Sequence, residues 1–307
     1  MSDDAAEIPA VGLVGSSMLA LVEAIPEFEA RTGRRATIIG GLAVLCRLGI
    51  VYRVTGDLDT ANRRAAGETP QLDVLLQQDD VTQADPAGVW IPTSTGAVKV
   101  DVIEVSDAEL AHLPEDETDR LAVLSHAWAI ETAMPLRIRA ASPEGASTEV
   151  VAHVAEPGPL IAMKLQSVMN RTVNKERTDL LDIVRLTLDH TAGATARTQL
   201  AEADTQLAED ARLHAHRWFV DRKDQTLRLI RGLPEGADAD ADVVQLVGEL
   251  LLAELDRPDL PELRLRIYPV HDLGHEDLEP VTNQVTTTPG SGGHSATPRH
   301  RNSAELR

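Results

Sequence analysis

The stretch Arg53-Val54-Thr55-Gly56-Asp57-Leu58-Asp59 places two carboxylates two residues apart, and its first aspartate lies sixteen residues after Gly41. We expect this stretch to form a strand or the edge of one. Side chains two positions apart on a strand project to the same face, so Asp57 and Asp59 would point the same way. Two carboxylates held close together repel each other unless a cation lies between them. The pair therefore predicts a site for a hard cation such as Mg²⁺ or Mn²⁺.

A third carboxylate, Asp101, lies in an alternating segment (97–105) that we expect to form a β-hairpin with residues 89–92. Valines at positions 98, 100 and 102 share one face of this strand, which leaves Asp101 on the other face. If this strand neighbours the first one, three carboxylates converge. In such an arrangement two metal ions bind the attacking and leaving oxygens of phosphoryl or nucleotidyl transfer.

A pair of glycines, Gly40-Gly41, separates a predicted strand (35–39) from a predicted short helix (42–48) that ends at Gly49. We expect the pair to form a tight turn. Glycine lets the backbone approach a ligand closely, and the start of a helix offers free N–H groups and a positive dipole end. The pair is therefore expected to lie against a triphosphate.

Each of these features is also common without any activity. An Asp-x-Asp pair is usually a solvated turn, and Asp101 alone could keep an edge strand soluble. The order of the features favours a functional site: strand, Gly-Gly, short helix, strand with Asp-x-Asp, then a strand with one aspartate. This order resembles the DNA polymerase β nucleotidyltransferase superfamily, in which a Gly-Gly or Gly-Ser turn precedes Asp-x-Asp or Asp-x-Glu.

Motifs in the second half of the chain are similar to those of the AbiEii/AbiGii-toxin-like nucleotidyltransferases, which include the MenT-type toxins. That family carries Arg-x-Thr-x-Asp-x-Asp, followed by a lysine, an arginine and an aspartate on consecutive helices. The matching residues here are Arg53, Thr55, Asp57, Asp59, Lys164, Arg171 and Asp179. Thr178 stands where the family usually has a lysine or arginine, and residues beyond about 195 match no family pattern.

The resemblance implies a role for each of these residues. Asp57, Asp59 and Asp101 would bind Mg²⁺ or Mn²⁺, and Asp101 would complete the metal site or take the proton of the attacking hydroxyl. The residues implied in binding a nucleoside triphosphate are Gly40, Gly41, Arg53, Thr55, Lys164 and Arg171. Lys164 and Asp179 are also implied in catalysis.

Two pairs in the second half also have a physical interpretation of their own. Lys164 and Arg171 are seven apart, so they share a helix face that could bind phosphate groups. The alternative is a solvated helix face. On the next predicted helix, one of Asp179 and Asp182 could orient Lys164 or Arg171. The other could have no role beyond capping or solvating the helix.

We predict an α+β fold: a polymerase-β-like nucleotidyltransferase domain with a mixed sheet in residues 1–155, followed by a mainly helical domain in residues 156–270 that completes the active site. The predicted helices of the second domain are 159–171, 176–189, 196–231 and 241–255, with a last strand at 263–268. His214 and His216 face differently on a helix, which argues against a shared metal. Residues up to about 9 and residues 271–307 are predicted to be disordered.

The composition limits the compartment and the kinds of partner that we expect for this protein. With one cysteine, Cys46, no disulfide can form within the chain of 307 residues, which favours a reducing compartment. No apolar run approaches the ~20 residues that cross a bilayer, so we expect a soluble, cytoplasmic protein with no membrane partner. The net charge of −20 opposes broad nucleic-acid binding and suits a cationic substrate or partner.

The function predicted from these observations is metal-dependent transfer of a nucleotide from a nucleoside triphosphate to an acceptor hydroxyl. The resemblance implies the toxin of a toxin–antitoxin pair, with an RNA acceptor such as a tRNA 3′ end and a cognate antitoxin as partner. Two alternatives remain open. The acceptor could be an antibiotic or a protein hydroxyl, or the chain could be a catalytically silent module that binds a nucleotide or a partner.

Overall fold

The computed structural model describes residues 7–169 and 173–256. Their eight strands form one mixed sheet, in the order β1-β7-β8-β2-β3-β6-β5-β4. The strands are β1 Ala10–Val14, β2 Thr37–Ile38, β3 Asp57–Arg64, β4 Thr82–Asp85, β5 Gly88–Thr93, β6 Gly96–Ser106, β7 Met134–Ala141 and β8 Ser147–Val154. The pairs β1–β7, β2–β8 and β3–β6 are parallel, and the remaining neighbours are antiparallel.

Helices precede, connect and follow these strands. They are α1 Ser16–Thr32, α2 Gly40–Leu48, α3 Gln71–Leu76, α4 Asp107–Ala111, α5 Glu117–Thr132, α6 Pro157–Ser167, α7 Val173–Leu188, α8 Ala192–Ala201, α9 Thr205–His216, α10 Lys223–Arg231 and α11 Ala241–Leu255. A π-helical turn, Arg217–Asp221, joins α9 to α10. The mixed sheet together with these helices confirms the predicted α+β class.

The first long helix, α1, covers part of the sheet with an apolar face. Its buried residues include Met18, Leu21, Val22, Ile25 and Phe28, which recur at the helical period and form one apolar face. This face packs against strands β7 and β8 and against β3, β5 and β6. Since α1 contacts strands along most of the sheet, it fixes the position of β3 and β6, which carry the candidate site.

The helices from α6 onward pack against one another and against α2 and α5. Helix α6 packs against α5, α7, α8 and α9, and α2 packs against α6 and α7. The buried apolar residues of the described ranges form one cluster, from Val11 to Leu255. The domain boundary at residue 155 stays a prediction.

Several element predictions were wrong in detail. The pair Gly40-Gly41 is the first part of helix α2 and not a separate turn. Strand β3 begins at Asp57 and runs to Arg64, so residues 53–56 lie in a loop. Strands β1 and β4 were not predicted.

The long predicted helix 196–231 is in fact three helices with a π-helical turn. The predicted last strand (263–268) and the predicted disordered tail lie outside the described residues. None of the helices in the described ranges is long and apolar enough to cross a membrane.

Candidate metal centre and adjoining clefts

The strand pair β3–β6 brings three carboxylates together. Asp59 lies directly opposite Asp101 in the parallel register, and Asp57 is two residues earlier on the same face of β3. One oxygen from each of the three carboxylates lies within 4.8 Å of the others. The predicted convergence of Asp57, Asp59 and Asp101 is therefore observed. An all-carboxylate donor set of this kind fits Mg²⁺ or Mn²⁺.

The side chain of Lys99 contacts this carboxylate cluster. The Nζ atom of Lys99 lies 2.7 Å from Oδ1 of Asp101 and 2.7 Å from Oδ2 of Asp85. Partial burial opposes the charged form of Lys99, but its hydrogen bonds with the two carboxylates outweigh this and raise its pKa. Lys99 therefore stays charged, offsets part of the negative charge of the site, and holds the Asp101 side chain in place.

The two glycines at the start of α2 lie directly against β3. Gly40 has φ +62, in the left-handed region, and a Cβ atom there would lie 1.9 Å from Oδ2 of Asp59. A Cβ atom on Gly41 would lie 2.5 Å from Oγ1 of Thr55. The backbone N–H of Gly41 is directed at Oδ2 of Asp59, with an N···O distance of 3.4 Å. Only glycine lets the positive end of α2 come this close to the carboxylates.

A polar cleft of about 170 Å³ opens beside the carboxylates. Its lining is Gly41, Arg53, Val54, Thr55, Gly56, Asp57, Asp59, Lys164, Lys175, Thr178 and Asp179. The structure therefore gathers most of the predicted site residues around one opening. Arg171 lies outside the described residues, so its role stays a prediction.

Lys175 lines the cleft but belongs to none of the sequence motifs. Its Nζ atom lies 3.7 Å from Oδ2 of Asp57, and its side chain is 55% exposed. Exposure leaves this ammonium free to move toward an anionic ligand in the cleft. The only signal in the sequence was the surplus of basic residues in the segment around Lys164, Lys175 and Arg185.

A buried ion network forms the floor of the cleft. The Nζ atom of Lys164 lies 2.5 Å from Oδ1 of Asp179 and 2.9 Å from Oδ2 of Asp182. Arg53 donates two hydrogen bonds to Asp182, at 2.8 Å and 2.7 Å, and the Tyr52 hydroxyl donates a third. The network ties the loop before β3 to helices α6 and α7.

The network settles two alternatives left open by the sequence. Lys164 is 8% exposed and Asp182 is fully buried, so neither lies on a solvated helix face. Burial alone lowers the pKa of Lys164, but the neighbouring carboxylates of Asp179 and Asp182 outweigh it and raise the pKa. Burial alone raises the pKa of Asp182, and the charges of Lys164 and Arg53 reverse this and lower it. Arg53, Lys164 and Asp182 therefore keep their charges at neutral pH.

A second cleft, of about 330 Å³, shares Asp59 and Lys164 with the first. Its lining is Ile39, Gly40, Asp59, Ile103, Ala122, His126, Met163, Lys164, Gln166 and Ser167. The Nδ1 atom of His126 lies 2.6 Å from the carbonyl oxygen of Ala122, which can only accept a hydrogen bond. His126 carries no motif signal, and sequence reasoning missed it.

Comparison with solved structures gives a weak likeness to a bacterial protein. The crystal structure of a "putative nucleotidyltransferase from H. pylori" aligns with a TM-score of 0.39 and 14% sequence identity, over 78% of this chain and 95% of that chain. No family model matches the chain. No curated protein matches it either.

Proposed function

We propose that this chain is a metal-dependent nucleotidyltransferase that moves a nucleoside monophosphate from a nucleoside triphosphate to an acceptor hydroxyl. One observation carries the proposal. Carboxylate oxygens of Asp57, Asp59 and Asp101 lie within 4.8 Å of one another, beside the two glycines that begin α2. A carboxylate cluster alone is common on protein surfaces. A cluster beside a helix N-terminus and a lysine-lined cleft fits a metal–triphosphate complex.

In this proposal, different residues bind the metal ion and the triphosphate. Asp57, Asp59 and Asp101 would hold Mg²⁺ or Mn²⁺, which supplies charge stabilisation at the reacting phosphate when bound. The backbone at Gly40 and Gly41 would hold triphosphate oxygens, together with the exposed ammonium of Lys175.

The buried network has a different part in this proposal. Arg53 and Lys164 are already paired with Asp182 and Asp179, which balance their charges, so in this proposal they shape the floor of the cleft. Thr55 lies against Gly41 and holds the loop before β3 at the start of α2. Lys164 and Asp179 would act in catalysis through this arrangement.

In the reaction, the acceptor oxygen forms a bond to the α-phosphorus, and the bond from that phosphorus to the bridging oxygen of the β-phosphate breaks. Pyrophosphate leaves with the electron pair, and the proton of the acceptor hydroxyl passes to a base. Asp101 is the proposed base if its carboxylate is not taken up wholly by metal binding.

For the biological role we propose the toxin of a toxin–antitoxin pair, with an RNA 3′ end, such as that of a tRNA, as acceptor. The support is the similarity of the Arg53 to Asp59 motif, Lys164 and Asp179 to the AbiEii/AbiGii-toxin-like pattern. The net charge of −20 favours the rival acceptors, a cationic antibiotic or a protein hydroxyl. A silent binding module is the rival from another class.

A labelling survey tests the proposal. The protein is incubated with each α-labelled nucleoside triphosphate, Mg²⁺, and total RNA, total protein or aminoglycosides. We expect label in one acceptor class, and none when Asp57 or Asp59 is replaced by alanine. Nucleotide binding without transfer to any class would instead support the silent module.

A further inference from the structure

An exposed tryptophan lies on the same face of the sheet as the three carboxylates. Trp90 on β5 is 41% exposed, whereas its neighbours Val89 and Ile91 are fully buried on the opposite face. The other two tryptophans are not comparable, because Trp218 is 2% exposed and Trp128 is partly buried in the core. Single exposed apolar side chains are common, so what makes Trp90 informative is its position on the face that carries the carboxylates.

Strand register places Trp90 relative to the carboxylates. Lys99 on β6 is opposite Asp57 on β3 and also opposite Trp90 on β5, so these three residues form one row across the sheet. Asp101 is likewise opposite both Asp59 and Gly88 in the next row. Two strand spacings separate Trp90 from Asp57, or about 10 Å.

Gly88 confirms which face the indole occupies. A Cβ atom on Gly88 would lie 2.5 Å from Oδ1 of Asp101 and 3.0 Å from Cε of Lys99. Residue 88 therefore points to the face that carries Asp101, and Trp90, two residues later on the same strand, points the same way. Glycine at position 88 leaves the surface of β5 beside Asp101 free of a side chain, and Lys99 lies between Trp90 and Asp57.

Trp90 and the phosphate-binding groups lie on opposite sides of the carboxylates. The start of α2 follows β2, which neighbours β3 on one side, while β6 and then β5 lie on its other side. In phosphoryl transfer the attacking and leaving oxygens are roughly in line. If pyrophosphate leaves toward Gly41, an acceptor in line with it approaches from the side of β6 and β5, which carries Trp90.

We propose that Trp90 is the stacking platform for a nucleobase at the hydroxyl-bearing end of the acceptor. This inference rests on the proposed function and defines the acceptor side of the same site. A nucleoside joins a flat ring to a hydroxyl group over a distance of the order of that between Trp90 and the metal centre. Stacking on an indole tolerates any base, because every base has a π face.

The charges nearby favour a base over a cation on this platform. Asp85 is the carboxylate closest in the strand order, but its Oδ2 is paired with Lys99 and its Oδ1 accepts from the Ala87 N–H at 3.0 Å. It has little capacity left for an ammonium group. Strands β4 and β5 contain no lysine or arginine. Stacking of the base, and not contact with phosphate groups, would therefore bind the acceptor. Acceptor binding would then depend only weakly on salt concentration.

The test compares two acceptors that carry the same hydroxyls. One is a short oligoribonucleotide with an ordinary 3′-terminal nucleotide, and the other has an abasic 3′-terminal ribose. Wild-type protein should show a KM for the abasic acceptor that is about tenfold higher, with kcat little changed. Trp90→Ala should remove this difference, and Trp90→Phe should keep most of it. Val151→Ala, at an exposed apolar position on β8, is the control and should behave as wild type.

A binding measurement separates failure of this inference from failure of the proposed function. Quenching of intrinsic fluorescence by the ordinary oligonucleotide, absent in Trp90→Phe, should occur with Mg²⁺ even if no transfer follows. Quenching without transfer would uphold the platform and overturn the proposed function. Equal acceptor KM values for wild type and Trp90→Ala, or quenching by a hydroxyl-bearing polyamine and not by the oligonucleotide, would overturn the platform.

Discussion

Gly40 and Asp59 occupy one space: a Cβ atom on residue 40 would lie 1.9 Å from Oδ2 of Asp59. Gly40 also has a positive φ of +62, which other residues rarely adopt. The start of α2 and the centre of the carboxylate cluster are thus fixed relative to each other by the absence of a side chain. A substitution at residue 40 must displace one of the two.

Replacing Gly40 by alanine should therefore damage both stability and metal binding. Strain in the left-handed region and overpacking against Asp59 together predict a loss of about 2–5 kcal/mol in the free energy of unfolding by urea. Gly49→Ala is a matched control, because Gly49 has φ +66 but no heavy atom within 4 Å of its Cβ position. It should cost about 1–2 kcal/mol and leave metal binding intact. Equal losses for the two variants would contradict this account of Gly40.

Metal binding should stabilise the folded protein. Mn²⁺ at a hundred times its dissociation constant should add about 2.7 kcal/mol to the free energy of unfolding, because the unfolded chain does not assemble the three carboxylates. Asp59→Asn should remove most of this gain. Glu209→Gln, at an exposed position on α9, should retain it. A gain of the same size in Asp59→Asn would show that the ion binds elsewhere.

Asp182 should be among the most sensitive positions for stability. It is fully buried and holds Arg53, Lys164 and Tyr52, so Asp182→Ala leaves two buried cations short of a partner. We expect a loss of about 3–5 kcal/mol in urea unfolding. Asp221→Asn removes an exposed partner of His216 and should change stability by less than about 1 kcal/mol. A small loss for Asp182→Ala would mean that water reaches the network.

His214 predicts a pH dependence of stability. It is fully buried, neither of its ring nitrogens has a hydrogen-bond partner among the described residues, and burial and then the charge of Arg217 lower its pKa below 6.5. The unfolded chain binds this proton more readily than the folded one. Stability from this residue is therefore complete above about pH 7.5 and is lost as the pH falls below the unfolded pKa of about 6.5 toward the lowered folded pKa.

The measurement for His214 is the free energy of unfolding at pH 7.5 and pH 5.5. The drop in wild type should be larger than in His214→Leu, by up to about 1.4 kcal/mol for each unit by which the folded pKa is lowered. His112→Gln, at an exposed position, should keep the wild-type drop. The prediction fails if His214→Leu and wild type lose the same amount.

Much of the metal centre could be predicted because the period of a strand fixes the direction of its side chains. Asp57 and Asp59 share a face by spacing alone, and the valines beside Asp101 show its face in the same way. The pairing of β3 with β6 is different. It joins segments about forty residues apart, and local sequence pattern does not determine which strands become neighbours.

Other features of the site depend on tertiary contacts that leave little mark in the sequence. Burial of Asp182 arises from the packing of α7 against α2 and α6, and a helical pattern alone could not distinguish it from a solvated carboxylate. The role of Gly40 as the first residue of α2 depends on the proximity of Asp59. Trp90 belongs to no motif in the sequence, and its exposure beside the carboxylates follows from the pairing of β5 with β6.

The most direct test of the central claim is the fate of the two ends of a nucleoside triphosphate. With Mg²⁺ and the acceptor found in the survey, we predict that label in the α-phosphate is transferred to the acceptor, that label in the γ-phosphate leaves as pyrophosphate, and that Asp59→Asn does neither. Transfer of the γ-label to the acceptor, or undiminished α-label transfer by Asp59→Asn, would contradict nucleotidyl transfer at this carboxylate cluster.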